Sequence, residues 1–386
     1  MNSWPYFDKN DVAKAKEILE SGKINYWTGS EGREFEKEFS KYVNVDYSVA
    51  VDNGTNALIL AAHALGISKG DEVIMSPRTF VASAFSIMHL GAKPIFVDID
   101  RNSQNMDASL IEQAITPNTK AIMAIHIAGW PCEMNIIQDI CKKYNLYLIE
   151  DCAQAHGAQY NNQSVGSFGD VNAWSFCQDK IMSTAGEGGM VTTNNKELWK
   201  KVWSFKDHGK NYDTVYNKEH SPGFRWLHED HGTNARLTEI QSGIGRLQLR
   251  KLDSWIDTRT KLANIFNDGF KNIDGLRIAL SPDHIKHAHY KYYVFVENEK
   301  LKDGKNRDFI MNSLNEIGTP CYSGSCSEIY KEKAFDKLFP KGHTALPVAK
   351  ELAETSLMFL VHPTIDEEDI YTIVDQTKSI MKDILK

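Results

Sequence analysis

The run Ser175-Phe176-Cys177-Gln178-Asp179-Lys180 leaves an apolar segment and enters a loop that closes on Gly186-Glu187-Gly188-Gly189. A lysine held in a partly desolvated loop can lose its proton near neutral pH and attack a carbonyl carbon, forming a Schiff base. The glycines beyond it permit positive φ and a close backbone approach to a ligand. Taken alone, Lys180 also reads as a solvated loop lysine, which is the commoner case.

A second run, Leu148-Ile149-Glu150-Asp151-Cys152-Ala153-Gln154-Ala155-His156-Gly157, puts Asp151 at the carboxyl end of an apolar strand, where open α/β sheets bind their ligands. A carboxylate there can keep a pyridine nitrogen protonated, and a cationic ring is the electron sink of pyridoxal chemistry. The other reading is an Asp that caps the following turn. In Val51-Asp52-Asn53-Gly54-Thr55-Asn56-Ala57-Leu58 a strand runs into a helix start, where Gly54, Thr55 and the free backbone N–H groups form a phosphate cradle. Many helices in an α/β fold begin this way, so that signal is weak by itself.

These residues need a scaffold, and the sequence supplies one. Short apolar runs at Tyr47–Asp52, Glu72–Met75, Pro94–Asp98, Ala121–His126, Leu146–Asp151, Val171–Phe176 and Met190–Thr193 read as strands buried on both faces. Helix-period segments at Asn56–Leu65, Phe80–Leu90, Met134–Tyr144 and Lys196–Phe205 lie between or after them, the pattern of an α/β fold with a mostly parallel sheet. From Arg236 to Phe270 the spacing predicts one long helix bridging two lobes. Beyond it come a strand at Tyr290–Glu297 and a helix at Asp366–Leu385. The expected division is a large α/β domain over 1–250 and a smaller α+β C-terminal domain over 251–386.

Together the three runs resemble the DegT/DnrJ/EryC1/StrS family of sugar aminotransferases, within the pyridoxal-phosphate fold-type I group. The likeness runs from Asn25-Tyr26-Trp27-Thr28-Gly29 to Leu346-Pro347-Val348-Ala349 and Val361-His362-Pro363, and the Ser-Phe-x-x-x-Lys-x-x-x-x-x-Gly-Glu-Gly-Gly block is its most specific part. The resemblance implies an aspartate-aminotransferase-like fold and pyridoxal 5'-phosphate as cofactor. It makes Lys180 the Schiff-base lysine and proton carrier, and pairs Asp151 with the pyridine nitrogen. Gln154 would lie against the ring or its phenolic oxygen, Phe80 would stack on the ring, and Gly54, Thr55 and Ser175 would hold the phosphate. Asn234 would reach the neighbouring subunit's phosphate, so the site would be shared across a homodimer. In isolation Phe80 reads as a core residue.

Three departures from the family pattern bear on specificity: Asn53 and Asn56 in the Gly-Thr turn, Cys177-Gln178-Asp179 before the lysine, and a longer, charged Phe224–His231 segment. The last two are expected to border the substrate, the alternative being plain surface loop.

The 386 residues are 42% hydrophobic and 25% charged, which excludes disordered and fibrous classes. With 44 basic and 51 acidic residues the formal charge is −7, and no basic run points to nucleic acid or to a membrane surface. No apolar stretch approaches the ~20 residues of a spanning helix, and the first residues lack a secretion signal, so a cytoplasmic location is expected. The six cysteines never form a CxxC pair, which fits reduced thiols. His284, His287 and His289, and His228 with His231, match no metal-ligand spacing, so no metal is expected.

The expected activity moves the amino group of L-glutamate onto a keto or aldehyde sugar for bacterial surface polysaccharide, including lipopolysaccharide. The wording Ser-Pro-Arg-Thr-Phe, His-Ile-Ala-Gly-Trp-Pro and Ser-Phe-Cys-Gln-Asp-Lys-Ile-Met resembles the subgroup that aminates 8-oxo-3-deoxy-octulosonate, an oxidised Kdo, to 8-amino-3,8-dideoxy-octulosonate. Such an acidic acceptor needs a cation, and Arg78 and Arg225 are candidates. The alternative acceptor is a nucleotide-linked 3- or 4-keto-6-deoxyhexose. A pyridoxamine-dependent sugar dehydratase of the same fold is disfavoured because it lacks the lysine, and a non-enzymatic relative is disfavoured by the intact Asp151, Gln154 and Lys180 set.

Overall fold

The computed structural model describes residues 4–386. Helices α1 (Lys9–Ser21) and α2 (Glu31–Val43) precede the first strand. The central sheet is built from β1 (Tyr47–Val51), β2 (Glu72–Met75), β3 (Lys93–Phe96), β4 (Thr119–Ile125), β5 (Tyr147–Asp151), β8 (Val171–Ser175) and β9 (Gly189–Thr193). A hairpin of β6 (Gln159–Tyr160) and β7 (Gln163–Ser164) interrupts the series. Helices α3 (Gly54–Ala64), α4 (Ala82–His89), α5 (Met134–Tyr144) and α6 (Lys196–Lys206) lie where the 3.6-residue spacing put them, within a residue or two at each end.

The seven strands lie in the order β1-β9-β8-β5-β4-β2-β3. The pairs from β3 through β8 are parallel, and β9 is antiparallel to both of its neighbours. Antiparallel neighbours need no crossover helix, so β8 and β9 are joined by a loop alone. That loop carries Lys180. It opens at the carboxyl edge of the parallel strands, where the register sets Asp151 opposite Ile125 on one side and Ala173 on the other.

After the short α7 (Tyr212–Tyr216), the predicted single helix over Arg236–Phe270 is two: α8 (Glu239–Leu249) and α9 (Leu252–Phe270). The chain turns at Arg250-Lys251 with no Gly or Pro, and the apolar spacing continues across the turn. The first half of α9 buries Leu252 and Ile256 with Phe35, Trp174 and Phe176 of the central layer. Its second half buries Phe266 and Phe270 against Tyr292 and Phe359, in stacked or tilted aromatic contacts. Those last two rings belong to a second sheet, β10 (Leu276–Arg277), β12 (Lys291–Val296) and β13 (Ser356–Leu360), covered by the terminal helix Glu367–Ile384. Between β10 and β12, β11 (Ile285–Lys286) pairs with the β6–β7 hairpin, a small sheet that two-residue strands do not announce in sequence. Among the described residues no helix is long and apolar enough to cross a membrane, and all six cysteines are free.

Candidate active site

A cavity of about 620 Å³ opens at the carboxyl edge of the central sheet and is lined by Gly54, Thr55, Phe80, Asp151, Gln154, Ser175 and Lys180. Asn234 is the expected residue that stays outside it. It is exposed, on an extended segment bridged to Asp207, and its neighbour Ala235 accepts a hydrogen bond from the Asp52 amide at 3.1 Å. A second cavity of about 780 Å³ adjoins the first and shares Thr79, Phe80, Gln154, Asp179 and Lys180 with it. Phe80 is 68% exposed and lines both, so it is not the core residue that its type alone suggests.

The Lys180 loop is held at its backbone: the Lys180 amide donates to the Cys177 carbonyl at 3.1 Å, and Trp4 Nε1 donates to the Lys180 carbonyl at 2.8 Å. Its Nζ lies 3.5 Å from the Tyr290 hydroxyl and 3.7 Å from Asp179 Oδ1. The Tyr290 hydroxyl in turn donates to Asp179. Burial pushes the Asp179 carboxyl up, but Lys180, the Tyr290 hydroxyl and Lys291 outweigh it and leave the group below the usual carboxylate range.

Asp151 is buried. Its Oδ2 accepts from Ser83 Oγ at 2.8 Å and its Oδ1 from the Ala153 amide at 3.1 Å. Ser83 Oγ is also 2.8 Å from Thr79 Oγ1, so the α4 start fixes the orientation of the carboxylate. Burial raises its pKa, and Ser83, Ala153 and the more distant Lys180 only partly counter this. Among the described residues Asp151 has no ion-pair partner, the state of a carboxylate built to meet a cation that the polypeptide does not supply. Gln154 is anchored by its Oε1, which accepts from the Ala128 amide at 2.8 Å.

At the α3 start, Asn53 caps the helix by accepting from the Asn56 amide at 2.8 Å, and Asn56 Nδ2 reaches both Asp52 oxygens at 2.9 and 3.0 Å. The two asparagines therefore serve the turn itself. Ser175 and Val51 both sit opposite Gly189 across the sheet, which brings the α3 N-terminus against Ser175. The fit has no spare room: a Cβ on Gly54 would fall 2.5 Å from Ser175 Cβ, and one on Gly189 2.5 Å from the Asn53 carbonyl oxygen. A helix N-terminus beside a serine hydroxyl suits a phosphate, and the buried Asp151 suits a protonated pyridine, so the residues present fit pyridoxal phosphate.

Several supporting residues escape sequence reasoning. Ser83 is one helical turn after Phe80, and Tyr290 arrives from 110 residues downstream of Lys180. His126 lines the first cavity; its Nδ1 accepts from the Cys132 amide at 3.0 Å, so its Nε2 carries the proton and donates to Glu150 Oε2 at 3.0 Å. Glu150 also accepts from the amides of Gly166, Phe168 and Gly169. His126, Glu150 and Cys152 are buried with donor atoms within 4.8 Å of one another, and the first two spend their lone pairs on a network that braces β5.

Of the residues expected on the substrate side, the two arginines and the charged segment lie away from both cavities of this chain. Arg78 does not face either cavity: it is buried, donates from Nη2 to Ser356 Oγ at 3.0 Å and lies over the Tyr293 ring. Arg225 and the rest of Phe224–His231 line neither cavity of their own chain, and Phe224 and Trp226 are among the most exposed apolar side chains. Cys177 and Asp179 do border the first cavity.

The profile of the DegT/DnrJ/EryC1/StrS aminotransferase family matches residues 5–378. The GDP-perosamine synthase of Escherichia coli O157:H7 is 33% identical over 383 residues, 98% of this chain and 99% of that protein. The spore coat polysaccharide biosynthesis protein SpsC of Bacillus subtilis is 33% identical over 385 residues, 98% of this chain and 96% of its own length. An aminotransferase from Psychrobacter cryohalolentis superposes with a TM-score of 0.97 at 47% identity, covering 99% of both chains.

Proposed function

The chain belongs to the DegT/DnrJ/EryC1/StrS aminotransferase family of pyridoxal-phosphate-dependent sugar aminotransferases, and on that premise we propose that it transfers the amino group of L-glutamate to a keto or aldehyde sugar used in a surface polysaccharide. One observation carries the assignment of roles: Lys180, Asp151 and the Gly54–Ser175 cradle line a single cavity. Pyridoxal phosphate, when bound, supplies a carbonyl that condenses with amines and a ring that takes up electrons.

In this reading the Lys180 amine holds the cofactor and, once displaced by the incoming amine, carries the proton that leaves the substrate carbon. Asp151, oriented by Ser83 and Ala153, keeps the ring nitrogen protonated. The α3 N-terminus, Gly54, Thr55 and Ser175 would hold the phosphate, Phe80 would stack on the ring, and Gln154, anchored through the Ala128 amide, would lie against the ring or its phenolic oxygen. The Tyr290–Asp179 pair beside Nζ gives the freed amine a polar resting place. We place the site at a homodimer interface, where the exposed Asn234 of one protomer meets the phosphate end of its partner's cavity.

The acceptor proposed first is 8-oxo-3-deoxy-octulosonate; its support is the motif wording around Arg78, His126 and Lys180. The second is a nucleotide-linked 3- or 4-keto-6-deoxyhexose, supported by likeness to the GDP-perosamine synthase. The test is a visible absorbance spectrum of the cofactor-loaded protein before and after L-glutamate, followed by each acceptor. A band that bleaches with glutamate and returns with one acceptor establishes the transfer and identifies the substrate. Lys180→Ala is expected to fold, because its Nζ makes only one long hydrogen bond and a loose ion pair, and to lose turnover. Retained turnover in that variant refutes the mechanism.

A further inference from the structure

Lys291 is the first residue of β12 and lines the larger cavity together with Lys180, Asp179 and Tyr290. Each other charged group near it has a partner: Lys180 has Asp179 and Tyr290, Asp179 has both of these, and Arg259 donates to backbone carbonyls. The Lys291 side chain makes no hydrogen bond or ion pair with a described residue. Its contact is with the face of Tyr290, with Nζ 4.7 Å from the ring centroid. Asp179 acts on it through space but forms no direct ion pair with it, so the half-buried ammonium lacks a hydrogen-bonded anion, which is costly, and a binding cleft is where such a cost is recovered.

Its position relative to Lys180 limits what it can hold. Lys180 Nζ is 5.1 Å from the same Tyr290 centroid, so the two amines are at most about 10 Å apart. An amino acid whose nitrogen replaces the Lys180 amine carries an α-carboxylate about 3 Å away and a γ-carboxylate about 5–6 Å away, by covalent geometry. A further charge-assisted hydrogen bond of about 2.8 Å from the γ-carboxylate spans the separation.

Resting on the reading of Lys180 as the cofactor lysine, we propose that Lys291 is the specificity-determining cation of the donor step, holding the side-chain carboxylate of L-glutamate and selecting it over neutral amino acids. Around its ammonium stand Asp179 and Lys180 from the β8–β9 loop, Arg259 from α9, Tyr290 beside it in sequence, and His362 beyond β13. Burial brings its pKa down to about 8, with Asp179 opposing and Arg259 and Lys180 adding to the fall. The charge that binds the carboxylate is therefore present below that pH and is lost as pH rises through it, the loss moving upward when an anion is bound.

The experiment compares wild type, Lys291→Gln and Lys291→Arg, all loaded with pyridoxal phosphate. Calorimetry measures binding of glutarate, an inert five-carbon dicarboxylate, and absorbance follows the donor step with L-glutamate and with L-glutamine. The expected result for K291Q is glutarate affinity lower by about tenfold or more, a glutamate-over-glutamine preference in kcat/KM reduced by a similar factor, and a rate at saturating glutamate that changes less. K291R restores most of the binding, and only wild type shows weaker glutarate binding as pH rises above 8. An unchanged preference and unchanged glutarate affinity in K291Q, with the cofactor band intact and bleached by glutamate, overturns the Lys291 assignment while leaving Lys180 in its role. A KM change confined to the sugar acceptor overturns it as well. A wild-type protein with no cofactor band overturns the site reading from which the assignment starts.

Discussion

Replacing Asp151 by Asn separates the folding role of this carboxylate from its chemical one. The carboxylate accepts from Ser83 Oγ at 2.8 Å and from the Ala153 amide at 3.1 Å. In Asp151→Asn the amide oxygen still accepts from Ala153, and the NH₂ can donate to Ser83 Oγ, because a hydroxyl both gives and receives. The variant also removes a charge that burial disfavours, as the raised pKa shows. The cofactor-free protein should therefore keep its stability within about 1 kcal/mol, with a melting temperature within about 4 °C of wild type. With pyridoxal phosphate bound, the missing anion leaves a pyridinium without its partner. Breaking a buried ion pair at one end costs about 3–5 kcal/mol, or roughly two to nearly four orders of magnitude at 1.36 kcal/mol per decade. Stopped-flow absorbance of the loaded variant mixed with L-glutamate should show the donor step slowed by that factor. A variant that melts as wild type does and still reacts at more than a tenth of the wild-type rate refutes the role given to Asp151.

Gly54→Ala puts a Cβ 2.5 Å from Ser175 Cβ, closer than real Cβ atoms approach, so the α3 start must move away from β8. Overpacking of that kind costs about 1–3 kcal/mol, and an absorbance titration should show pyridoxal phosphate binding roughly tenfold more weakly or worse; unaltered affinity shows that this turn does not hold the phosphate. His156 lies fully buried between Trp174 and Phe176, and burial, assisted by Lys180 and Arg259, lowers its pKa to about 3. Its unfolded value is higher, so its neutral burial favours folding fully above about pH 6.5 and progressively less as pH falls towards 3. The loss at pH 5 is about 2 kcal/mol from this residue. Urea unfolding at pH 7 and pH 5 measures the difference, which should shrink by about that amount in His156→Phe; an equal difference in both proteins removes His156 as its source.

What could be read ahead of the structure follows from how locally each feature is encoded. Asp151 and Ser175 close strands, Gly54 opens a helix and Lys180 follows Ser175 in the loop after β8, so strand ends set by hydrophobic runs place them on one sheet edge without long-range information. Ser83, His126 and Tyr290 act through contacts that only tertiary packing creates. Their types were visible and their partners were not. The turn between α8 and α9 stayed hidden because Arg250 and Lys251 are acceptable helix residues and the apolar spacing continues across them, so the change of direction comes from packing against two different cores. Arg78 shows the opposite error. Its charge suggested a ligand contact, yet Ser356 and the Tyr293 face draw it inward, while Lys291 holds a cleft position without a protein partner. For a cation near a cleft, the informative quantity is whether its free donors reach the cleft. Arg78 pairs one nitrogen with a hydroxyl and buries the other two, unpaired, away from both cavities, whereas the Lys291 side chain lines a cavity with only the Tyr290 face in contact, and its unspent hydrogen-bonding capacity is what a substrate carboxylate can use.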